Sequence, residues 1–113
     1  MSEPRPLEIS VKDTAALLAA QAGFRLIDCR EEDEYAICRI EGSQLVPLSS
    51  FGESAVPALG PDSAQRIIVY CHHGARSLRA TNFLRAKGYE NAQSMSGGIE
   101  EWSNQVDASV PRY

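Results

Sequence analysis

The chain has 113 residues, 43% hydrophobic and 23% charged, with a formal net charge of −4. That length suits one domain around one core, and the composition is that of an ordinary globular protein. An acidic balance without a long basic run argues against a nucleic-acid surface, and no run of about 18 apolar residues is present to cross a membrane.

Met1 to Pro6 reads as a polar, proline-bearing, mobile lead. It lacks the apolar stretch of a signal peptide, which predicts retention in the cytosol. Residues 7–113 read as one domain. Leu7 to Ile9 suggests a short strand, and Ser10 an N-cap, with Asp13 three residues later completing a box-like signal. Ala15, Leu17, Leu18 and Ala19 carry a helix that Gly23 is expected to end. Phe24 to Cys29 is an apolar run that reads as a buried strand, with Asp28 and Arg30 at its exit. Glu31 to Ile37 is acidic at the front and apolar later, which suits a short helix with carboxylates at its positive end.

Gly42-Ser43 marks a turn, and Gln44 to Pro47 a further short strand. Leu48 to Pro61 mixes prolines, glycines and serines with scattered apolar residues, and is read as a loop with one helical turn. Arg66 to Tyr70 is the expected central strand, and Ser77 to Lys87 an amphipathic helix with Gly88 just past its end. Ala92 to Met95 gives the last strand and Gly97-Gly98 a turn. Ile99 to Val106 gives a final helix, with Trp102 in the core. Strands alternating with helical patterns predict an α/β fold with a mostly parallel central sheet. A site in such a sheet forms at the C-terminal strand ends, where Asp28 and Cys71 both fall.

Chemistry concentrates in Cys71-His72-His73-Gly74-Ala75-Arg76-Ser77, between the central strand and its helix. The first turn of a helix leaves backbone N–H groups unpartnered and carries partial positive charge, so the loop is a cradle for an anion. Arg76 adds a full charge at its far end, and Gly74 lets the backbone turn inward. A thiol held there ionises readily, and the thiolate is the nucleophile. The alternatives are a buried structural cysteine, a metal site and phosphate chemistry. Cys71, His72 and His73 are adjacent and point apart, which disfavours a metal. Cysteine-dependent phosphatases use a similar loop with one residue more between cysteine and arginine. The four residues here make a cradle too tight for a phosphoryl group. His72 and His73 are expected to act through their backbones, and Ser77 to cap the helix. Three cysteines do not make a disulfide framework. Cys29, on a buried strand, is expected to be inert, and Cys38 is the candidate resolving thiol.

The loop from Cys71 to Ser77 resembles the active-site loop of the rhodanese family of sulfurtransferases. Leu26-Ile27-Asp28-Cys29-Arg30-Glu31, with Glu34-Tyr35 and Ile40-Glu41-Gly42-Ser43, is similar to its N-terminal signature. Met95-Ser96-Gly97-Gly98-Ile99-Glu100-Glu101-Trp102 is similar to its C-terminal one. The resemblance implies a rhodanese-like domain, its sheet flanked by helices on both faces. It implies that Cys71 takes a sulfane sulfur from an anionic donor such as thiosulfate, holds it as a persulfide, and passes it to a thiol, protein-thiol or cyanide acceptor. No metal or organic cofactor is needed. His72, His73, Gly74, Ala75, Arg76 and Ser77 would form the substrate cradle, with Asp28, Arg30 and Arg39 in support. Arg39 stands where many family members carry histidine, which suggests a more positive rim. Two other classes remain: a sulfur-carrier or protein-interaction module without small-molecule turnover, and a phosphatase or arsenate reductase.

Overall fold

The computed structural model describes residues 5–113, so Met1 to Pro4 of the expected lead lie outside the described residues. At Arg5 and Pro6 the backbone carbonyls accept bonds from Arg85 Nη2 at 2.6 Å and Gln93 Nε2 at 2.9 Å. The strands are β1 (Glu8–Ile9), β2 (Arg25–Asp28), β3 (Gln44–Leu45), β4 (Ile67–Tyr70) and β5 (Ala92–Met95). The helices are α1 (Val11–Ala19), α2 (Glu32–Ile37), α3 (Phe51–Leu59), α4 (Ala75–Ala86) and α5 (Gly98–Gln105). The five strands form one sheet in the order β1-β5-β4-β2-β3, every pairing parallel. β4 is therefore central, as its unbroken apolar run requires of a strand covered on both faces.

Side chains alternate across a strand, and the core divides accordingly. Ile67, Val69 and Cys71 pack with Ile27 and Cys29 under α3 and α4. Ile68 and Tyr70 pack with Leu26 and Met95 under α1 and α5, with Trp102 in that layer. Each fully buried aliphatic side chain stabilises the fold by about 1.5–3 kcal/mol. Helices thus lie on both faces. α2 buries no residue and stands at the mouth of the sheet, so polar ties must hold it. Among the described residues, no helix is long and apolar enough to cross a membrane.

Two expectations are corrected. α1 ends four residues before Gly23: Ala20 is the C-cap, and Gln21 takes the left-handed conformation at φ 52°. A non-glycine pays roughly 1–2 kcal/mol for that conformation. The second concerns Leu48 to Pro61, which is not a loop. A 3-10 turn (Leu48–Ser50) leads into α3, which carries Pro57 in its interior. Low local propensity is overridden by packing, because Phe51, Ala55 and Leu59, spaced four apart, all turn into the core. Phe51 meets Phe83 of α4 edge to face at 5.8 Å.

Candidate active site

Parallel strands end together, so Asp28, Cys71 and the Gly97-Gly98 turn emerge at one edge of the sheet. Cys71 directly follows β4 and is 1% exposed. The chain then turns at Gly74, whose φ of +112° is closed to most side chains, and enters α4 at Ala75. This turn aims two amides back at the sulfur: Gly74 N–H donates to Cys71 Sγ at 3.1 Å and Ser77 N–H at 3.3 Å. Gly74, not Ser77, occupies the N-cap. Ser77 sits one turn inside the helix, where its hydroxyl lies 3.5 Å from Cys71 Sγ and 2.7 Å from Ser94 Oγ. With the sulfur ionised, Ser77 can donate to it while accepting from Ser94. Ser94, in mid-strand on β5, carries no sequence signal for such a role.

The Cys71 thiol is pulled well below the ordinary value. The largest cause is the neighbouring Cys29 thiol, followed, against the opposing effect of burial, by the Ser77 hydroxyl and the Ser77 and Gly74 amides. Cys29 is correspondingly pushed up, first by Cys71 beside it and then by burial. Cys71, whose sulfur receives two backbone amides, is the thiolate of the pair. Asp28 pairs with Tyr70 across β2 and β4, and Cys29 N–H donates to Tyr70 O at 3.0 Å. One residue further on, Cys29 and Cys71 therefore stand opposite each other, both in the core layer beneath α3 and α4. Cys38 belongs to the layer on the other face of the sheet and cannot serve as the neighbouring thiol. The sequence did carry a signal for Cys29, since Cys29 and Cys71 both fall at the exits of expected strands.

Arg76 closes the loop, but its guanidinium is not left free. Nη1 and Nη2 reach Glu34 Oε1 and Oε2 of α2 at 2.6 and 2.8 Å. Glu34 also accepts from Glu31 N–H at 3.1 Å, half of a capping box, and from Tyr113 Oη at 2.8 Å. These bonds, Arg76 first, hold its carboxyl down to about 2. Glu34 and Tyr113 were not among the expected site residues. Asp28 and Arg30 form a fully buried pair at 2.7 Å. Arg30 further donates to Cys38 O at 2.6 Å and Tyr113 Oη at 2.7 Å, tying the exits of β2 and α2 together.

His72 is stacked between His73 and Tyr113, with ring centroids 4.0 Å away on each side. Its Nε2 faces Glu100 Oε1 at 3.6 Å, and Glu100 in turn pairs with Arg112. His73 and Ala75 are exposed at the rim. Arg39 lies over the Tyr35 ring at 4.3 Å. The stretch Met95 to Trp102 forms the floor of the site. Ile99 N–H donates to Cys71 O at 2.9 Å and Glu100 N–H to His72 O at 3.1 Å, so the first turn of α5 grips the loop from below. Gly98 makes this approach possible, since a Cβ there would lie 2.5 Å from Cys71 O. Among the described residues, no three His, Cys, Asp or Glu side chains gather as a metal site would need.

A short cradle of this kind, with its cysteine at the end of a central parallel strand, is built to hold a sulfur anion. The model of the rhodanese-like domain matches residues 10–105, and the chain belongs to that family. It is similar to the adenylyltransferase and sulfurtransferase MOCS3-2 of Zea mays, 37% identical over 117 residues, covering 97% of this chain and 24% of that protein. It is also similar to the chloroplastic rhodanese-like/PpiC domain-containing protein 12 of Arabidopsis thaliana, 34% identical over 95 residues, covering 79% of this chain and 30% of that protein. The chain therefore spans less than a third of these relatives. Among solved structures, the human single-domain sulfurtransferase TSTD1 superposes with a TM-score of 0.78 at 28% identity, covering 88% of this chain and 97% of that one. A rhodanese-related protein from Thermoplasma volcanium superposes with a TM-score of 0.79 at 27% identity, covering 96% of this chain and all of that one.

Proposed function

We propose that the chain is a sulfurtransferase that carries a sulfane sulfur on Cys71, taken from an anionic donor such as thiosulfate and passed to a thiol or cyanide. One observation carries this reading. The Cys71 sulfur receives the Gly74 and Ser77 amides and lies beside the Ser77 hydroxyl, so it is stabilised as an anion.

The thiolate attacks the outer sulfur of thiosulfate. The new S–S bond forms as the S–S bond of thiosulfate breaks, and sulfite leaves with that electron pair. The persulfide anion extends into the space bounded by the loop amides, whose dipoles already favour negative charge. Cyanide or a thiolate then attacks the terminal sulfur and returns the Cys71 thiolate. No proton need be lost or gained at Cys71 in either half.

Relatives named as sulfurtransferases support sulfur transfer in general, and the choice of thiosulfate rests on the anion-holding character of the cradle. A second reading is a carrier loaded by another protein, favoured by the relative whose name joins a sulfurtransferase to an adenylyltransferase. The test is intact mass followed by turnover. Thiosulfate should add one sulfur, about 32 Da, to Cys71 alone, and cyanide should remove it as thiocyanate over many cycles. Loading without turnover would select the carrier, and sulfur mapped to Cys29 or Cys38 would sink both readings.

A further inference from the structure

Cys29 is a second thiol beside the nucleophile, in the same core layer, to which sulfur transfer gives no task. It follows β2 as Cys71 follows β4, one residue past the Asp28–Tyr70 pair, both side chains enter the same core layer, and both residues are at most 1% exposed. Paired strands run about 4.8 Å apart. That falls inside the roughly 4.4–6.8 Å between Cα atoms that a disulfide spans. We propose that Cys29 is the resolving thiol of Cys71, so that oxidation of Cys71 by a hydroperoxide ends in an intramolecular Cys29–Cys71 disulfide.

The chemistry balances in two steps. The Cys71 thiolate attacks one oxygen of hydrogen peroxide; the O–O bond breaks, hydroxide leaves, and Cys71 becomes a sulfenic acid, oxidised by two electrons while the peroxide is reduced. Cys29 sulfur then attacks Cys71 Sγ. The S–O bond breaks as the S–S bond forms, and the departing hydroxide takes the Cys29 proton and leaves as water. A dithiol reductant restores both thiols by exchange.

The first step itself releases the second. Cys29 is held protonated first by the Cys71 thiolate beside it and then by burial. Once Cys71 is a sulfenic acid that anion is gone, and Cys29 becomes easier to ionise beside an electrophilic sulfur. Cys29 is already in place, so its attack is intramolecular and has the advantage of proximity over a diffusing thiol. The disulfide draws Sγ away from Gly74 and Ser77 and removes the nucleophile, so transfer stops reversibly. It also spares Cys71 from the sulfinic acid, which dithiols do not reduce.

This inference goes beyond the transfer reading and depends only on a thiolate at Cys71. Its test contains no sulfur donor, so its failure and that of sulfur transfer are separable. The full chain is treated with near-stoichiometric hydrogen peroxide, alkylated with iodoacetamide, and analysed by intact mass and peptide mapping. The expected result is a loss of about 2 Da, two fewer alkylated thiols, and a peptide linking Cys29 to Cys71 that dithiothreitol separates. Cys38→Ser should give the same link. Cys29→Val, checked by circular dichroism for folding, should send Cys71 to a sulfinic acid that dithiothreitol cannot reverse. Should that variant not fold, the mapping of the unmodified chain still decides. A dimedone-trapped sulfenic acid or a sulfinic acid at Cys71 with Cys29 still free for alkylation, or a link from Cys71 to Cys38, would overturn the proposal.

Discussion

Arg76 and Glu34 meet fork to fork, the two Nη atoms 2.6 and 2.8 Å from the two carboxylate oxygens. This pair joins the cysteine loop to α2, a helix with no buried residue of its own. Arg76 is therefore a structural clamp as much as a charge. The anion at Cys71 is held by the Ser77 hydroxyl and the loop amides, with the Cys29 thiol beside it. In the proposed transfer, Arg76 shapes the rim that the donor's sulfonate group would meet.

Arg76→Lys keeps the charge but loses the planar fork, so it can satisfy only one Glu34 oxygen well. Thiosulfate turnover should fall on the order of 10–1000-fold, the range for removing a group that fixes an oxyanion site. Alkylation of Cys71 by iodoacetamide, a neutral reagent, should change much less. Unchanged thiosulfate kinetics would place Arg76 outside the site.

Glu34 makes the clamp pH-sensitive. Its carboxyl is lowered from 4.5 to about 2 in the folded chain, first by Arg76. A depressed folded value means that its stabilisation is complete above the unfolded value and fades as pH falls from about 4.5 to about 2. Melting temperatures of the parent chain and Glu34→Gln should differ most near neutral pH and converge toward pH 2. A gap independent of pH over that window would show that Glu34 does not titrate as the geometry requires.

The state of Cys71 can be read from the pH dependence of its alkylation. The midpoint should lie well below the roughly 8.5 of a free cysteine. Cys29→Val removes the largest single contribution and should shift the midpoint upward while leaving it depressed, since the Ser77 and Gly74 donors remain. A parent midpoint near the free-thiol value would contradict the cradle.

Gly98→Ala tests the floor of the site. A Cβ there would stand 2.4 Å from His72 O and 2.5 Å from Cys71 O, at a φ of +61°. These are backbone atoms and cannot swing aside. The expected result is a destabilisation of about 1–3 kcal/mol in urea unfolding, as for other strained backbone positions. Persulfide loading should fall with it. Stability and loading equal to the parent's would mean that α5 does not press on the loop.

Much of this protein is set by local pattern. The unbroken run Ile67-Ile68-Val69-Tyr70 demands a strand covered on both faces, and β4 is the sheet's centre. Cys71, Gly74 and Arg76, placed between that strand and an amphipathic helix, define an anion-holding loop at a strand end, because strand exits and helix starts are local features of the chain. What the chain could not show locally was contact across it. α3 forms around Gly52 and Pro57 only because Phe51, Ala55 and Leu59 find a core to enter. Ser77 looks like a cap by residue type, yet Gly74 takes that place because only it accepts the left-handed turn that aims two amides at the sulfur. Glu34 reaches Arg76 over 42 positions of sequence. Cys29 meets Cys71 only through the parallel register of β2 and β4. Pairing of strands and docking of helices depend on burial summed over the whole core, a quantity no single stretch of sequence contains, and that sum decided which thiol stands beside the nucleophile.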